Sequence, residues 1–558
     1  MPTESALPAD PSESSASAAA GGTAASAAGS TSAGSATAAS RRAAAGLPVP
    51  RPDYRSAPVL LHLLGLAVLA GVLTVGTCIV FAPGGMNPDT RWQLHQVLGN
   101  EPLSDWHPAI MTITWRWLTV LTGHASAIMY AQIALIFAAG FGFAVYLFDV
   151  TRSKAWSVVG VLFIMAPPLF TFLGVIWKDT QMAGMFFLAV VCVLLSFRFP
   201  RLRWPLLIIA LLAIGYGTAV RKNAFFAVLP LIYLLYRGVF AGRLGRIGLP
   251  GDAAEARQLD AHRAHTSRTG RMLRFGAVTA AVLAFVIGSG AVLDARYRPL
   301  ETHQVSQVML DDVIFSVPKD ELRHADIDPQ LREKLLAAQT VCAEKEAYED
   351  AYWRCYGRGK DGIYTAIEHV DELREAWLKL VPTRPDRYLL YRVQTFTHFL
   401  FDNYTDWDGA TVENSLGFHT KFAQANDAGK TYVEKFGVRD LPWLFTGWFW
   451  LVSPLVLLAA RGPIKGLELA VGWPGLRAVV MNLSLSSVIY IVGYFPIVPA
   501  NHFRYVYWPV FAVSMSAIML AAAGVLAWRA RRRPEAVGEP AGASGTEAGE
   551  DEQRTTGS

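Results

Sequence analysis

Five short polar stretches hold the residues whose types could do chemistry. The first runs Gly84-Gly85-Met86-Asn87-Pro88-Asp89-Thr90-Arg91-Trp92-Gln93-Leu94-His95-Gln96, with Asp89 just after a proline that turns the chain. An acid there either caps a short amphipathic helix or serves as a base toward a bound hydroxyl. The second, Ser104-Asp105-Trp106-His107-Pro108, enters an apolar segment, and Pro108 suits a first helical position, so a cap reading stands beside a chemical one. The third, Trp177-Lys178-Asp179, sets opposite charges at a corner between two apolar blocks. It is either a topology marker or a compact binder of phosphate or a cation. The fourth, Arg221-Lys222-Asn223, packs two cations into a strip that needs an anionic partner. Phosphate fits, because Arg grips it through parallel bonds and Lys acts as a point charge. A lipid headgroup is the alternative. The fifth, Asn501-His502-Phe503-Arg504-Tyr505, adds a third cation beside a histidine.

The elements that position these stretches are apolar. Of 558 residues, 52% are hydrophobic and only 17% charged, against about 25% charged in soluble domains; mean hydropathy is +0.29. Apolar blocks at 58–82, 125–148, 155–176, 180–197, 204–220, 224–236, 275–293, 443–460, 478–499 and 506–528 predict an all-α polytopic membrane protein of about ten spans. A soluble multidomain enzyme is excluded. The segment 108–122 is short for a span and holds Arg116 between Trp115 and Trp117, which suits an interfacial helix.

Charge settles the orientation. With 108–122 interfacial, one side receives Arg41, Arg42, Arg51, Arg55, Arg152, Lys154, Arg198, Arg201, Arg203, the basic stretch Arg237–Arg274, Arg461, Lys465, Arg477 and Arg529–Arg533. The positive-inside rule makes that side cytoplasmic, together with both chain ends. The outer face then carries the loop 83–124, Lys178/Asp179, Arg221–Asn223, an insert at 294–442 and Asn501–Tyr505. The expected organisation is a disordered tail over 1–50, a membrane module over 51–293, the insert, C-terminal helices over 443–533 and a second tail over 534–558. Basic residues at the edges of apolar blocks, despite a net charge of +5, point to a bilayer and not to nucleic acid.

An Asp in the first outer loop, an amphipathic helix, a His-Pro and an interfacial helix together resemble the GT-C glycosyltransferases. These are polyprenyl-phosphate-sugar-dependent membrane enzymes that include protein mannosyltransferases and aminoarabinose transferases. Asp179, and Arg504-Tyr505 with Pro509 opening the last helix, are similar to the same pattern, over roughly 58–240 and 500–528. The chain departs from paired first-loop acids and from His-Pro-Pro: it has Asp89 followed by Thr90, and His107-Pro108-Ala109.

The resemblance implies a hexosyl- or pentosyltransferase in a bacterial plasma membrane, with its site on the external, cell-envelope face. Asp89 would be the base, an effect worth about 10²–10⁴-fold. Lys178, Arg221, Lys222 and Arg504 would receive the phosphate charge. Asp179 would orient a cation or bind sugar hydroxyls, and Asp105, His107, His502 and Tyr505 would support the site or its acceptor. A single displacement through an oxocarbenium-like carbon predicts inversion. No cofactor is required; a divalent cation on Asp89 and Asp179 stays open. Two other readings stand: a transporter or lipid-linked-glycan flippase, consistent with the helix breakers Pro167, Pro168 and Pro230, and a surface-polysaccharide polymerase or ligase using a lipid-diphosphate donor. The chain shows no internal repeat.

The insert spans roughly 150 positions, enough for a small domain over the site. Gln330–Tyr352, Ala366–Leu380 and Asp386–Phe401 read as helices, the last an amphipathic one lying on the outer leaflet. The strip Phe401–Asp408 is rich in aromatic and acidic residues, as carbohydrate stacking or an interfacial belt would be. Cys342 and Cys355, in an oxidising setting, suit a disulfide; Cys78 and Cys192 lie in apolar blocks.

Overall fold

A computed structural model describes residues 52–240, 268–347, 350–357, 369–402, 407–411, 414 and 416–532. The two tails, residues 241–267 of the basic stretch and residues 403–406 of the aromatic strip lie outside the described residues.

The chain is an all-α polytopic membrane fold. Among the described residues seven helices are long and apolar enough to cross a bilayer: Ala57–Phe81, Ala127–Thr151, Lys178–Arg198, Pro200–Ala219, Lys222–Phe240, Thr269–Tyr297 and Phe503–Arg532. An eighth span results if Gly447–Ala459 and Arg461–Val471, which meet at 66°, are counted together. The expected ten blocks are all partly helical, but two fall short of a full crossing. Block 155–176 gives an apolar helix over Lys154–Met165 and then one separate turn at Pro167–Phe170. Ala166, which precedes Pro167, leaves helical geometry at ψ 137 because the proline ring excludes the α conformation before it. Block 478–499 is helical over Leu476–Val492 and then turns.

Burial sorts the helices by neighbour. Lys178–Arg198 is enclosed by protein over most of its length and forms the bundle centre. Ala57–Phe81 and Thr269–Tyr297 are equally apolar but mostly uncovered, with Leu61, Leu64, Val72 and Val292 exposed. Apolar surface without a protein partner faces lipid. Ala109–Thr122 is too short to span; it buries Met111 and Trp115 while exposing Arg116, Trp117 and Leu121.

The insert has its own core. Leu331, Leu335, Ala338 and Cys342, on the helix Pro329–Glu344, pack with Leu310, Val313, Tyr356, Leu373 and Ala376. That helix is capped by Asp328 and ends at Glu344, well short of the expected Tyr352, and the chain re-enters a single wide helical turn over Tyr352–Tyr356. Cys342 and Cys355 are joined by a disulfide. Pro385–Phe401 exposes Leu389, Leu390 and Val393 while burying Tyr391, Arg392 and Phe399, the amphipathic pattern expected of it.

Candidate active site

The loop carrying Asp89 is threaded between two other segments. Gly85 donates to the Gly174 carbonyl at 3.0 Å and accepts from Ile176 N–H at 3.1 Å, while Met86 donates to Ala410 at 3.3 Å. A Cβ on Gly85 would stand 2.2 Å from the Asp408 carbonyl, so only glycine fits this approach. The helix Pro88–Leu98 then starts with Asn87 as its cap, Oδ1 accepting from Thr90 N–H at 3.0 Å. The Thr90 hydroxyl donates to the Ile176 carbonyl, also at 3.0 Å. Asp89 is therefore not the cap; its carboxylate is free to face elsewhere.

It faces Arg504. Arg504 Nη1 lies 3.6 Å from Asp89 Oδ2. The guanidinium sits 4.7 Å from the Trp177 ring centre and 5.3 Å from that of Tyr505, held by cation–π attraction. Its backbone N–H is held by His502 Nδ1 at 3.2 Å. Burial works against the Asp89 charge, but the Arg504 and Lys178 cations outweigh it and hold the carboxyl below its ordinary pKa. His107 is buried beside Trp92. Burial, then the charges of Lys178 and Arg504 against that of Asp89, push its pKa down to about 3, so it is neutral.

Asp89, Lys178, Arg504 and Tyr505 line one cavity of about 630 Å³, a size typical of ligand sites. The insert contributes further lining, through Thr302, Gln304, Gln307, Asp311, Asp350, Tyr352 and Trp353. Nothing in the sequence marked Asp311, Asp350 or Trp353. Asp350 and Trp353 lie around the wide turn that breaks the expected helix. Burial raises the Asp350 pKa, against the opposing pull of Arg504 and His502.

The remaining sequence-derived residues are brought close but not into this cavity. Arg221 Nη1 donates to Asp179 Oδ2 at 3.0 Å and Nη2 to the Tyr494 hydroxyl at 2.8 Å, and both charged residues are buried. Arg221 is thus matched by Asp179 and two tyrosine rings, Tyr494 and Tyr505. Lys222 points the other way, exposed, 3.4 Å from Asp105. These two line a second, charged cleft of about 700 Å³ with Asp294, Arg298, His303 and Arg374. Asp105 accepts from the Thr302 N–H at 2.7 Å and its hydroxyl at 2.5 Å, tying the loop before Pro108 to the insert. Burial opposes its charge, yet those bonds and Lys222 keep its pKa low. His502 Nε2 is 3.6 Å from Asp408 Oδ2. In the aromatic strip, Trp407 is packed against Phe81 and Phe170 and donates to Asn426, so its ring is part of the core.

A divalent cation on Asp89 and Asp179 does not fit these residues. Each carboxylate already faces a guanidinium, and among the described residues no group of three His, Cys, Asp or Glu is placed to hold a metal.

No family model and no curated protein matches the chain. Among solved structures it is similar to the archaeal oligosaccharyltransferase AglB from Archaeoglobus fulgidus, determined with an inhibitory peptide and a dolichol-phosphate. The two share 14% identity at a TM-score of 0.33, over 82% of this chain and 50% of that one. The chain thus spans about half the length of that protein.

Proposed function

We propose that the chain is a membrane glycosyltransferase that moves one sugar from a polyprenyl-phosphate donor to a hydroxyl of an extracytoplasmic acceptor, with inversion. The observation that carries this reading is the cavity that joins one ionised carboxylate, Asp89, to two cations, Lys178 and Arg504, beneath a polar and aromatic wall. Such a site matches a reaction in which a hydroxyl is activated while a phosphate departs.

In the transfer, the acceptor oxygen forms a bond to the anomeric carbon. The bond from that carbon to the phosphate oxygen breaks, and its electron pair leaves on the phosphate. The acceptor proton passes to Asp89. A carboxylate held below its ordinary pKa is a weak base, which suits a late proton transfer. The hydroxyl becomes acidic only as it bonds to the oxocarbenium-like carbon, and by then phosphate cleavage is advanced. Lys178 and Arg504 stabilise the charge growing on the phosphate, with no strong general acid needed. Arg504 thereby faces both base and leaving group. The buried Asp179–Arg221 pair positions the helix start that carries Lys178. Asp105 holds the insert over the cavity, and His502 orients Arg504 through its backbone.

This reading places Asp89 and Arg504 on the external face of a plasma membrane, with both termini inside. It is tested by incubating membranes that contain the full chain with a panel of labelled polyprenyl-phosphate sugars. Label moving from lipid to a new product supports it. Energy-independent movement of the intact lipid-linked sugar across the bilayer, with no product, would favour a flippase and overturn it.

A further inference from the structure

The insert's wall of the cavity differs in chemistry from the membrane wall. Among the described residues that line it, the cations are Lys178 and Arg504, both from the membrane helices, whereas the insert contributes the carboxylates Asp311 and Asp350. The rings of Tyr352 and Trp353 line the same cavity. Trp353 is 37% exposed although its neighbours Cys355 and Tyr356 are buried. A large ring kept at a cavity surface beside hydroxyl-binding groups offers a flat negative face to the C–H face of a sugar. Carboxyl oxygens that accept hydrogen bonds suit the hydroxyls around that ring.

The turn is held rigidly. Asp350 donates its backbone N–H to the Pro499 carbonyl at 2.7 Å and accepts from Trp353 and Arg354 N–H groups at 3.0 Å each. It adopts φ 48, a left-handed conformation that Asp tolerates better than most residues. The Cys342–Cys355 disulfide and the Tyr356 hydroxyl, 2.5 Å from Asp311 Oδ1, anchor its far side. A preorganised aromatic and acidic platform loses little entropy when a ligand docks.

We infer that the turn Asp350–Trp353 is an acceptor subsite that binds one neutral sugar unit of a glycan, stacked on Trp353 with hydroxyls donating to Asp350. The inference rests on the transferase reading above and names its acceptor class. An anionic acceptor, such as a uronate or a phosphorylated lipid, would meet the Asp350 carboxyl where the stacked sugar's hydroxyls dock and is disfavoured. Asp350 is near enough to Arg504 and Asp89 to sense both charges, so a sugar bound there lies close to the proposed base.

The test uses the purified full chain in nanodiscs and two binding measurements that require no turnover. Neutral hexo- and pento-oligosaccharides, an acidic oligosaccharide and a serine/threonine peptide are titrated by saturation-transfer NMR. Polyprenyl phosphate is titrated separately. The expected result is saturable binding of a neutral oligosaccharide, weakened about tenfold or more by Trp353→Ala and by Asp350→Asn, with polyprenyl-phosphate binding unchanged in both. Because Trp353 is partly exposed, an intact thermal transition separates a lost subsite from a lost fold. Two outcomes overturn the inference while the transferase reading stands: polyprenyl phosphate binds but no neutral oligosaccharide does, or the acidic glycan or peptide binds in preference. Binding of neither donor lipid nor sugar removes both.

Discussion

Asp89 and Arg504 come from opposite ends of the described chain, yet Oδ2 of one lies 3.6 Å from Nη1 of the other. The same guanidinium rests on the Trp177 ring. One side chain therefore helps to hold the carboxylate ionised and, on the proposed mechanism, faces the place where a phosphate would leave, so that base and leaving-group stabiliser would be coupled.

Replacing Arg504 by Gln should for that reason do two things. Transfer, read as kcat/KM for the donor, should fall by about 100-fold, the scale of losing one charge-stabilising donor. The acidic limb of the pH–rate profile should also move to higher pH, because Asp89 loses the cation that lowers its pKa. A fall in rate with an unmoved acidic limb would separate the two roles.

The buried Asp179–Arg221 pair gives a stability prediction. Removing one partner leaves a buried charge uncompensated, so Arg221→Met or Asp179→Leu alone should cost about 3–5 kcal/mol. The double substitution should recover most of that loss. Thermal unfolding of the detergent-solubilised chain reads all three. If Asp179→Asn abolished transfer while leaving stability intact, Asp179 would belong to the chemistry instead.

The pH profile of the wild type follows from two shifts with their signs. Asp89 is depressed, so its stabilising interactions are complete above its ordinary value and fade only as pH falls through its lower folded pKa. His107, pushed down to about 3, is neutral throughout the ordinary range. Transfer should then show no histidine inflection at about pH 6.5 that traces to His107. An inflection there that disappears in His107→Asn would contradict this account of the site.

The apolar blocks and the charged corners between them were legible in the sequence because a charge can sit in a bilayer protein only where water or a partner meets it. That physical limit is enough to bring Asp89, Lys178 and Arg504 to one end of the bundle, and the structure gathers Tyr54, Asp149, Arg152 and Arg198 in another cluster. Pairing was not legible. Whether Arg221 serves a ligand or Asp179 depends on how two helices approach, and periodicity says nothing of that. The insert's contribution was hidden for a different reason. Asp350 and Trp353 lie where an apparently continuous helix stops, and the stop is imposed by tertiary anchors at Pro499 and Cys342.

Within the insert, Asp311 predicts a pH-dependent stability of opposite sign to that of Asp89. Burial raises its pKa to about 7, against the Tyr356 hydroxyl, Arg392 and Gln307, with Asp312 adding to the rise. A raised carboxyl binds its proton more tightly in the folded state, so stability should decline as pH rises from about 4 to 7 and then level off. Asp311→Asn, which cannot ionise, should remove that decline. Thermal transitions of the two proteins at pH 5 and pH 8 measure it.

If Asp89 takes the acceptor proton, single-turnover transfer with the donor already bound must report it. Wild type, Asp89→Asn and Asp89→Glu should be compared at equal protein level, with donor binding measured alongside. The predicted result is donor binding within about threefold of wild type, a transfer rate lower by about 10²–10⁴-fold for the amide, and partial recovery by the longer carboxylate. Transfer by Asp89→Asn at the wild-type rate would contradict the claim and move the search for the base to the other carboxylates that line the cavity.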